Sequence, residues 1–204
     1  MNRLAVNRPG ATEAARYRGS VPLTDAVPGS TERARCIALV GPMGSGKSAV
    51  GQALAERTGR RFVDTDVLVE HRAGRSVATI FAEDGEEAFR ALEREAVAHA
   101  LAGAEPAVVA TGGGAVLEAP TRRLLADRAV VVWLTAPSRV LAARVGPGAD
   151  RPLLAGRDAA AVLDEIAIVR GPLYAEVADI ELDTSTATPD ELVSQIVELL
   201  GVGV

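Results

Sequence analysis

Residues 36–48 read Cys-Ile-Ala-Leu-Val-Gly-Pro-Met-Gly-Ser-Gly-Lys-Ser, and this stretch decides the fold. Its first five residues form a short apolar run of the kind found in a strand buried within a parallel sheet. The next eight match the pattern G-x-x-x-x-G-K-[ST], and residues 48–58 follow with apolar side chains at helical spacing. A strand, a glycine-rich turn and a helix in this order predict a phosphate-binding loop. The alternative, a chance glycine turn before a helix, does not explain why all three features are in register.

The residue types in this loop suit a nucleoside triphosphate. Glycines let backbone N–H groups fold around phosphates, and the N-terminus of the following helix adds a favourable dipole. Lys47 is the only lysine among 22 basic residues, and we expect it to neutralise oxygens of the β- and γ-phosphates. The Ser48 hydroxyl can bind Mg²⁺. The residues expected to contact the nucleotide in this segment are Gly44, Ser45, Gly46, Lys47, Ser48 and Ala49.

The rest of the chain alternates between strand-like and helical patterns. Apolar runs recur at residues 61–63, 107–110, 129–134 and 179–182. Helical patterns lie at about 65–80, 84–103, 119–127, 137–145, 159–177 and 189–200. Strands that alternate with helices predict βαβ units, and therefore an α/β fold with a doubly wound, five-stranded parallel sheet.

Composition limits the function further. The 204 residues are enough for one compact domain, and 48% hydrophobic with 24% charged residues is ordinary for a globular protein. No apolar run is long enough for a transmembrane helix. A net charge of −5 argues against nucleic acid or an anionic membrane as the main partner, and a single cysteine, Cys36, fits a reducing cytoplasm.

Residues 1–35 differ from the rest of the chain. They carry six arginines, three acidic residues and several scattered prolines and glycines, and they show no sustained periodicity. We expect them to form a disordered leader, with the folded domain over residues 36–204. A start codon placed too far upstream is the alternative explanation.

Two carboxylates, Asp64 and Asp66, stand at the carboxyl end of the second predicted strand. Ligands bind at this edge of an open α/β sheet. One carboxylate there can hold Mg²⁺ through water, while the other can orient or deprotonate a substrate hydroxyl. The alternative is that an aspartate caps the following helix.

Arg90 and Glu93 lie three residues apart on one face of a predicted helix. A guanidinium fork held by a glutamate suits a substrate carboxylate. The alternative is a solvated ion pair, and the acidic run at residues 83–87 is expected to be a solvated helix start.

Three consecutive glycines, Gly112, Gly113 and Gly114, follow the apolar run at residues 107–110. Glycines at the carboxyl end of a strand let a ligand approach the backbone closely. A flexible turn is the alternative, although a turn rarely needs three glycines.

Six motifs, taken in order, resemble the shikimate kinase family over residues 36 to about 200. They are the loop at 41–48, Asp64-Thr-Asp66, Phe89-Arg90-x-x-Glu93, Gly112-Gly-Gly114-Ala115, Arg151-Pro-Leu-Leu and Arg170-x-Pro-x-Tyr174. The first is generic to phosphate-binding-loop proteins, whereas the other five in combination are specific. The resemblance implies a fold of the P-loop NTPase and nucleoside monophosphate kinase type, with substrate-binding helices at about 65–103 and a lid at about 146–158.

The same resemblance implies ATP-dependent phosphorylation of the 3-hydroxyl of shikimate, in the route to chorismate and the aromatic amino acids, by a cytoplasmic monomer. On the nucleotide side, it implies that Lys47 and Arg151 stabilise the γ-phosphate. It also implies that Ser48, with Asp64 acting through water, forms the Mg²⁺ site.

On the substrate side, the resemblance implies that Asp66 binds and polarises the hydroxyls of shikimate. Arg90 and Arg170 look like the pair that clamps its carboxylate. The glycines at 112–114 look like a substrate-binding segment in which Gly113 is a backbone donor to the ring.

One departure concerns the nucleotide base. Residues 183–189 contain no arginine, although the family often places one there against the adenine ring, so both ATP and GTP stay possible as the nucleotide.

One alternative function is a gluconate kinase or another small-metabolite kinase of this fold, such as a nucleoside monophosphate kinase. Another is a nucleotide-binding protein without catalytic activity. Arg90, Arg170 and the three glycines argue against the former, and the presence of Asp66, Arg90 and Arg151 argues against the latter.

Overall fold

The computed structural model describes residues 15–17, 35–145, 154 and 156–202. The strands are β1 (Ala15–Tyr17), β2 (Cys36–Val40), β3 (Arg61–Asp64), β4 (Ala107–Ala110), β5 (Ala129–Thr135) and β6 (Ile180–Asp183). The α-helices are α1 (Lys47–Thr58), α2 (Thr65–Ala73), α3 (Val77–Glu83), α4 (Gly85–Leu101), α5 (Ala119–Arg128), α6 (Ser138–Val145), α7 (Ala159–Val177) and α8 (Pro189–Leu200), with a short 3₁₀ turn at Ala115–Leu117. No helix in this described part is both long enough and apolar enough to cross a membrane.

The sheet has the strand order β1-β6-β5-β2-β4-β3. Strands β2 to β6 run parallel, which confirms the predicted five-stranded parallel sheet. Strand β1 is an addition that pairs antiparallel with β6, with Arg16 opposite Glu181. The sequence predicted no regular structure there, and β1 forms because the outer edge of β6 offers unpaired backbone N–H and C=O groups. The rest of residues 1–34 lies outside the described residues.

Apolar side chains cover both faces of the sheet, as a doubly wound fold requires. Successive residues of a strand point to opposite faces, so Ile37 and Leu39 of β2 pack against α1 and α8. Ala38 and Val40 point the other way, toward α4, α5 and α7. The central strand is therefore buried on both sides, and its carboxyl end opens onto the loop that follows Val40.

The region between β3 and β4 differs from the prediction. The sequence predicted one helix over residues 65–80, but the chain turns at Gly74 and forms two helices, α2 and α3. Ser76 begins the second, because its hydroxyl accepts a hydrogen bond from the N–H of Thr79. These two helices and α4 enclose a separate apolar cluster of Val69, Ile80, Phe89 and Ala96.

Candidate active site

Three loops that carry the predicted site residues meet at one edge of the sheet. They follow β2, β3 and β4, which are parallel and lie in the order β2-β4-β3. The carboxyl ends of parallel strands share an edge, so residues 41–46, the aspartates at 64 and 66, and the glycines at 112–114 are neighbours. The topology thus brings together three motifs that are spread over more than 70 residues of the sequence.

The phosphate-binding loop leads directly into α1. The backbone of Gly46 has φ +91°, a left-handed conformation that favours glycine, and it forms the N-cap of the helix. The first helical hydrogen bond runs from the N–H of Val50 to the carbonyl of Gly46, so the N–H groups of Lys47, Ser48 and Ala49 have no acceptor within the helix. No acidic residue lies in this first turn. The loop and helix end therefore form a positive cradle suited to phosphate.

The side chain of Lys47 folds back over this loop. Its ammonium donates hydrogen bonds to the carbonyls of Gly41 at 2.8 Å and Pro42 at 2.9 Å. The hydroxyl of Ser45 is buried and has no hydrogen-bond partner in the described part of the chain. A buried polar atom normally has a partner, so this hydroxyl suits a ligand oxygen.

Asp64 caps the following helix, which the capping alternative predicted, and its second carboxylate oxygen contacts the phosphate-binding loop. One carboxylate oxygen caps α2, because it accepts hydrogen bonds from the N–H groups of Asp66 at 3.0 Å and Val67 at 3.4 Å. The other accepts a hydrogen bond from the Ser48 hydroxyl at 2.6 Å. A hydroxyl and a carboxylate oxygen are ligands that Mg²⁺ prefers, so this pair fits the ion. No cluster of three or more metal-binding side chains exists among the residues described.

Asp66 is half-buried, and its Oδ1 atom has no hydrogen-bond partner in the described residues. Burial raises the pKa of this carboxyl above its usual value, and the nearby charge of Asp64 raises it further, while Lys47 and Arg90 oppose the shift. An unpartnered acceptor with a raised pKa suits a hydroxyl donor that must lose its proton.

Arg90 is buried on α4, with 9% of its surface exposed. Its guanidinium donates to Glu93 at 2.7 Å and to Glu86 at 2.9 and 3.2 Å, and it lies over the rings of Phe81 and Phe89. Glu93 is 2% exposed, so the alternative of a solvated ion pair is wrong. The acidic run also contributes more than a solvated helix start, because Glu86 binds this arginine.

The charge states of this pair follow from burial. Burial opposes the charge of Arg90, but Glu93 and Glu86 outweigh it, so the pKa of Arg90 is raised and the guanidinium stays charged. Burial raises the pKa of Glu93, and Arg90 acts against that rise. The second oxygen of Glu93 is buried without a partner in the described chain.

In the glycine triplet, residues 112–114, close contacts require glycine at Gly112 and Gly114. A Cβ on Gly112 would lie 2.2 Å from an oxygen of Glu93 and 2.6 Å from one of Asp66. A Cβ on Gly114 would lie 2.0 Å from a guanidinium nitrogen of Arg90. These glycines therefore make room for the charged side chains themselves, which the alternative of a flexible turn does not explain.

Arg170 reaches the same triplet from α7. It is 8% exposed, and its guanidinium donates a hydrogen bond to the carbonyl of Gly113 at 3.1 Å. In the described ranges it forms no ion pair with a carboxylate, unlike Arg90. A buried cation without a paired anion favours an anionic ligand. The structure thus brings Arg90 and Arg170, 80 positions apart in the sequence, to the same short loop.

The remaining predicted residue, Arg151, lies outside the described residues, as does most of the predicted lid at 146–158. Leu154 from that segment is buried against Leu141 and Leu163. The sequence analysis missed Thr65, whose hydroxyl accepts from the N–H of Gly112 at 3.0 Å. The packing of Phe81 and Phe89 against Arg90 was not predicted either. A signal was present in the sequence, because two of its only three phenylalanines lie close to Arg90 along the chain.

Known proteins resemble this chain in sequence and fold. A family model described as shikimate kinase matches residues 43–201. A shikimate kinase of Symbiobacterium thermophilum is 50% identical over 166 residues, which cover 80% of this chain and 95% of the relative. The solved shikimate kinase of Acinetobacter baumannii in complex with shikimate has a TM-score of 0.80 at 37% identity, and the match covers 83% of this chain and 94% of that chain.

A gluconokinase of Sinorhizobium meliloti is more distant. Its TM-score is 0.51 at 22% identity, over 84% of this chain and 94% of that chain, so the likeness shows the fold alone. The shikimate kinase model, in contrast, spans most of this chain, and half of the aligned residues are identical to those of the Symbiobacterium relative. The chain belongs to the shikimate kinase family.

Proposed function

We propose that this chain transfers the γ-phosphoryl group of ATP to the 3-hydroxyl of shikimate, giving shikimate 3-phosphate and ADP. Membership of the family makes it an ATP-dependent kinase with an alcohol acceptor, in the biosynthesis of aromatic amino acids. One observation carries the choice of acceptor. Two buried arginines, Arg90 and Arg170, lie at the glycine triplet beside Asp66. An acid with vicinal hydroxyls fits this site, because the arginines can bind its carboxylate and Asp66 its hydroxyls.

The nucleotide side neutralises the transferred phosphoryl group. Phosphoryl transfer depends on positioning and charge rather than on a covalent nucleophile. Lys47 and the N–H groups at the start of α1 supply positive charge at the β- and γ-phosphates. We assign Arg151 to the γ-phosphate on the resemblance of its motif.

Mg²⁺ is the proposed metal, bound by the Ser48 hydroxyl directly and by Asp64 through water. The two side-chain oxygens lie 2.6 Å apart, and few protein ligands suffice because Mg²⁺ usually keeps water and phosphate ligands as well. When bound, the ion offsets the negative charge of the phosphate oxygens.

The acceptor side holds shikimate and removes a proton. Arg90 and Arg170 bind the carboxylate, since guanidinium groups match its planar geometry. The 3-hydroxyl oxygen attacks the γ-phosphorus while the bond to the β,γ-bridging oxygen breaks, and ADP leaves with that oxygen. The hydroxyl proton passes to Asp66, whose raised pKa makes it a better base than a solvated aspartate.

A coupled assay of ADP release tests this function with shikimate, quinate and gluconate in parallel. We expect turnover with shikimate well above the rate without acceptor. Preferential turnover of gluconate would identify another small-metabolite kinase, and no acceptor-dependent ADP release with any of the three would favour a nucleotide-binding protein without catalytic activity. Parallel runs with ATP and GTP determine the nucleotide preference.

We also assign the chain to the cytoplasm and to a monomeric state. The only cysteine, Cys36, is buried and unpaired, which suits a reducing compartment. Large apolar side chains are exposed at only three positions of the described surface, Val67, Ile168 and Val169, so that surface has no extensive apolar patch for a second copy.

Replacing Gly114 by alanine is expected to raise the KM for shikimate by about tenfold or more, because charge-assisted hydrogen bonds depend on the position of Arg90. The new methyl group would overlap the guanidinium, since the Cβ position lies 2.0 Å from its Nη1 atom. The KM for ATP should change little. Initial-rate kinetics with each substrate varied in turn measure both constants.

Gly113→Ala is the matched comparison for this prediction. A Cβ at that position has its nearest neighbour, the carbonyl oxygen of Gly41, at 3.5 Å, which is ordinary contact. We expect a smaller rise in KM than for Gly114→Ala. Equal effects of the two substitutions would contradict the role given to the space beside Arg90.

A further inference from the structure

Tyr174 is a buried hydroxyl that the proposed reaction does not use. It lies on α7, one helical turn after Arg170, and is 1% exposed. Its ring stacks on that of Trp133, with centroids 5.8 Å apart and planes inclined by 25°. Burial raises the pKa of its hydroxyl to about 12, so the group is a hydrogen-bond donor throughout the physiological range.

The acceptor for this hydroxyl is the carbonyl that also binds Arg170. Tyr174 donates to the oxygen of Gly113 at 2.5 Å, and Arg170 donates to the same oxygen at 3.1 Å. A carbonyl oxygen has two lone pairs and can accept both. Two side chains of α7 are therefore joined at one atom of the glycine triplet.

The helix between these two side chains is weak. Gly171 has a low helix propensity, and Pro172 lacks the N–H that would bond to the carbonyl of Ile168. Ile168 is 77% exposed, so water can reach its carbonyl. Because the backbone ladder is interrupted here, side-chain contacts have more influence on the position of the turn that carries Arg170.

We infer that Tyr174 is a positioning residue for substrate binding, an inference that rests on the proposed function. Its bond to Gly113 fixes the weak turn of α7 against the triplet. Arg170 is then presented with one N–H on Gly113 and its other N–H groups toward the shikimate carboxylate. Trp133 holds the phenol ring in the orientation that makes this bond.

Tyr174→Phe tests the inference, because it removes the hydroxyl and keeps the ring. We expect the KM for shikimate to rise by about 3- to 10-fold, the usual effect of one hydrogen bond. The kcat and the KM for ATP should stay within about twofold, since the hydroxyl that is removed bonds to the glycine triplet on the acceptor side. Calorimetric titration with shikimate should show a matching rise in Kd.

Val177→Ala is the control for a purely structural effect. Val177 is buried in the same cluster one turn further along α7, and no hydrogen bond of its side chain to the triplet is possible. This variant should lower Tm and leave the KM for shikimate unchanged. If Tyr174→Phe behaves in the same way, Tyr174 only stabilises the fold and the inference is wrong.

A double-variant cycle shows whether Tyr174 acts through Arg170. In an Arg170→Ala background, Tyr174→Phe should cause no further loss in kcat/KM for shikimate. A further loss equal to that in the wild type would contradict positioning through Arg170. If the wild-type chain fails to phosphorylate shikimate, it is the proposed function that fails, which separates the two outcomes.

Discussion

Lys47→Ala is expected to lower kcat by about 100-fold or more while leaving the fold intact. Lys47 is the only lysine of the chain and is held over the phosphate loop by the carbonyls of Gly41 and Pro42. Its positive charge would offset the negative charge of the phosphate oxygens during transfer of the γ-phosphoryl group. The side chain stands at the first position of α1, outside the apolar clusters, so Tm should change by less than about 2 °C.

Arg57→Ala is the matched control for loss of a positive charge. Arg57 is exposed in the last turn of the same helix, at the end away from the loop. We expect its removal to leave ADP release close to that of the wild type. Circular dichroism and thermal unfolding establish that both variants are folded. Near-normal ADP release by folded Lys47→Ala would overturn the assignment of the phosphate loop.

Arg170→Ala is expected to reduce kcat/KM for shikimate by about 10- to 150-fold, with the KM for ATP unchanged. Charge-assisted hydrogen bonds contribute roughly 1.5–3 kcal/mol each, which corresponds to that range. Arg170 has no ion pair in the described part of the chain, so its removal leaves no carboxylate without a partner. Tm should therefore change little. Arg170→Lys should restore little activity, because an ammonium lacks the planar fork.

Arg90→Ala should cause a similar loss for shikimate but also a loss of stability. It leaves Glu93 buried without its cation, and breaking such a pair costs roughly 3 kcal/mol, or about 6–12 °C in Tm. The pKa of Glu93 is already raised by burial and would rise further. Protonation relieves the buried charge, so the stability deficit should shrink as the pH falls.

Separate KM measurements for shikimate and ATP decide this prediction in both variants, together with Tm over a pH series. A shift in the ATP constant without a shift in the shikimate constant would show that the two arginines do not bind the acceptor. An unchanged Tm for Arg90→Ala would contradict the burial of its pair with Glu93.

The sequence alone was sufficient to predict the strand–loop–helix unit at residues 36–58 and the five parallel strands. These features are local, because strand and helix periodicity and the glycine pattern lie within contiguous residues. The sequence also predicted that Ser48 and Asp64 lie at one edge, since both follow strands of the same parallel sheet and the carboxyl ends of such strands share an edge. Every described residue among the predicted site residues lies at this edge.

Only the tertiary structure decided the contacts between distant segments. Strand β1 depends on a free edge of β6, some 165 positions away, which no local pattern encodes. The division of residues 65–80 into two helices was also not predicted from the periodicity, because one turn at Gly74 interrupts an otherwise continuous helical pattern.

The glycine triplet shows most clearly which features the sequence predicts and which depend on tertiary packing. The sequence predicted a close approach there, but only packing revealed what approaches: Arg90 against Gly114, and Arg170 with Tyr174 on the carbonyl of Gly113. A glycine motif specifies the absence of a side chain, whereas the group that fills the space is set by how helices α4 and α7 pack on the sheet. That packing is a property of the whole fold.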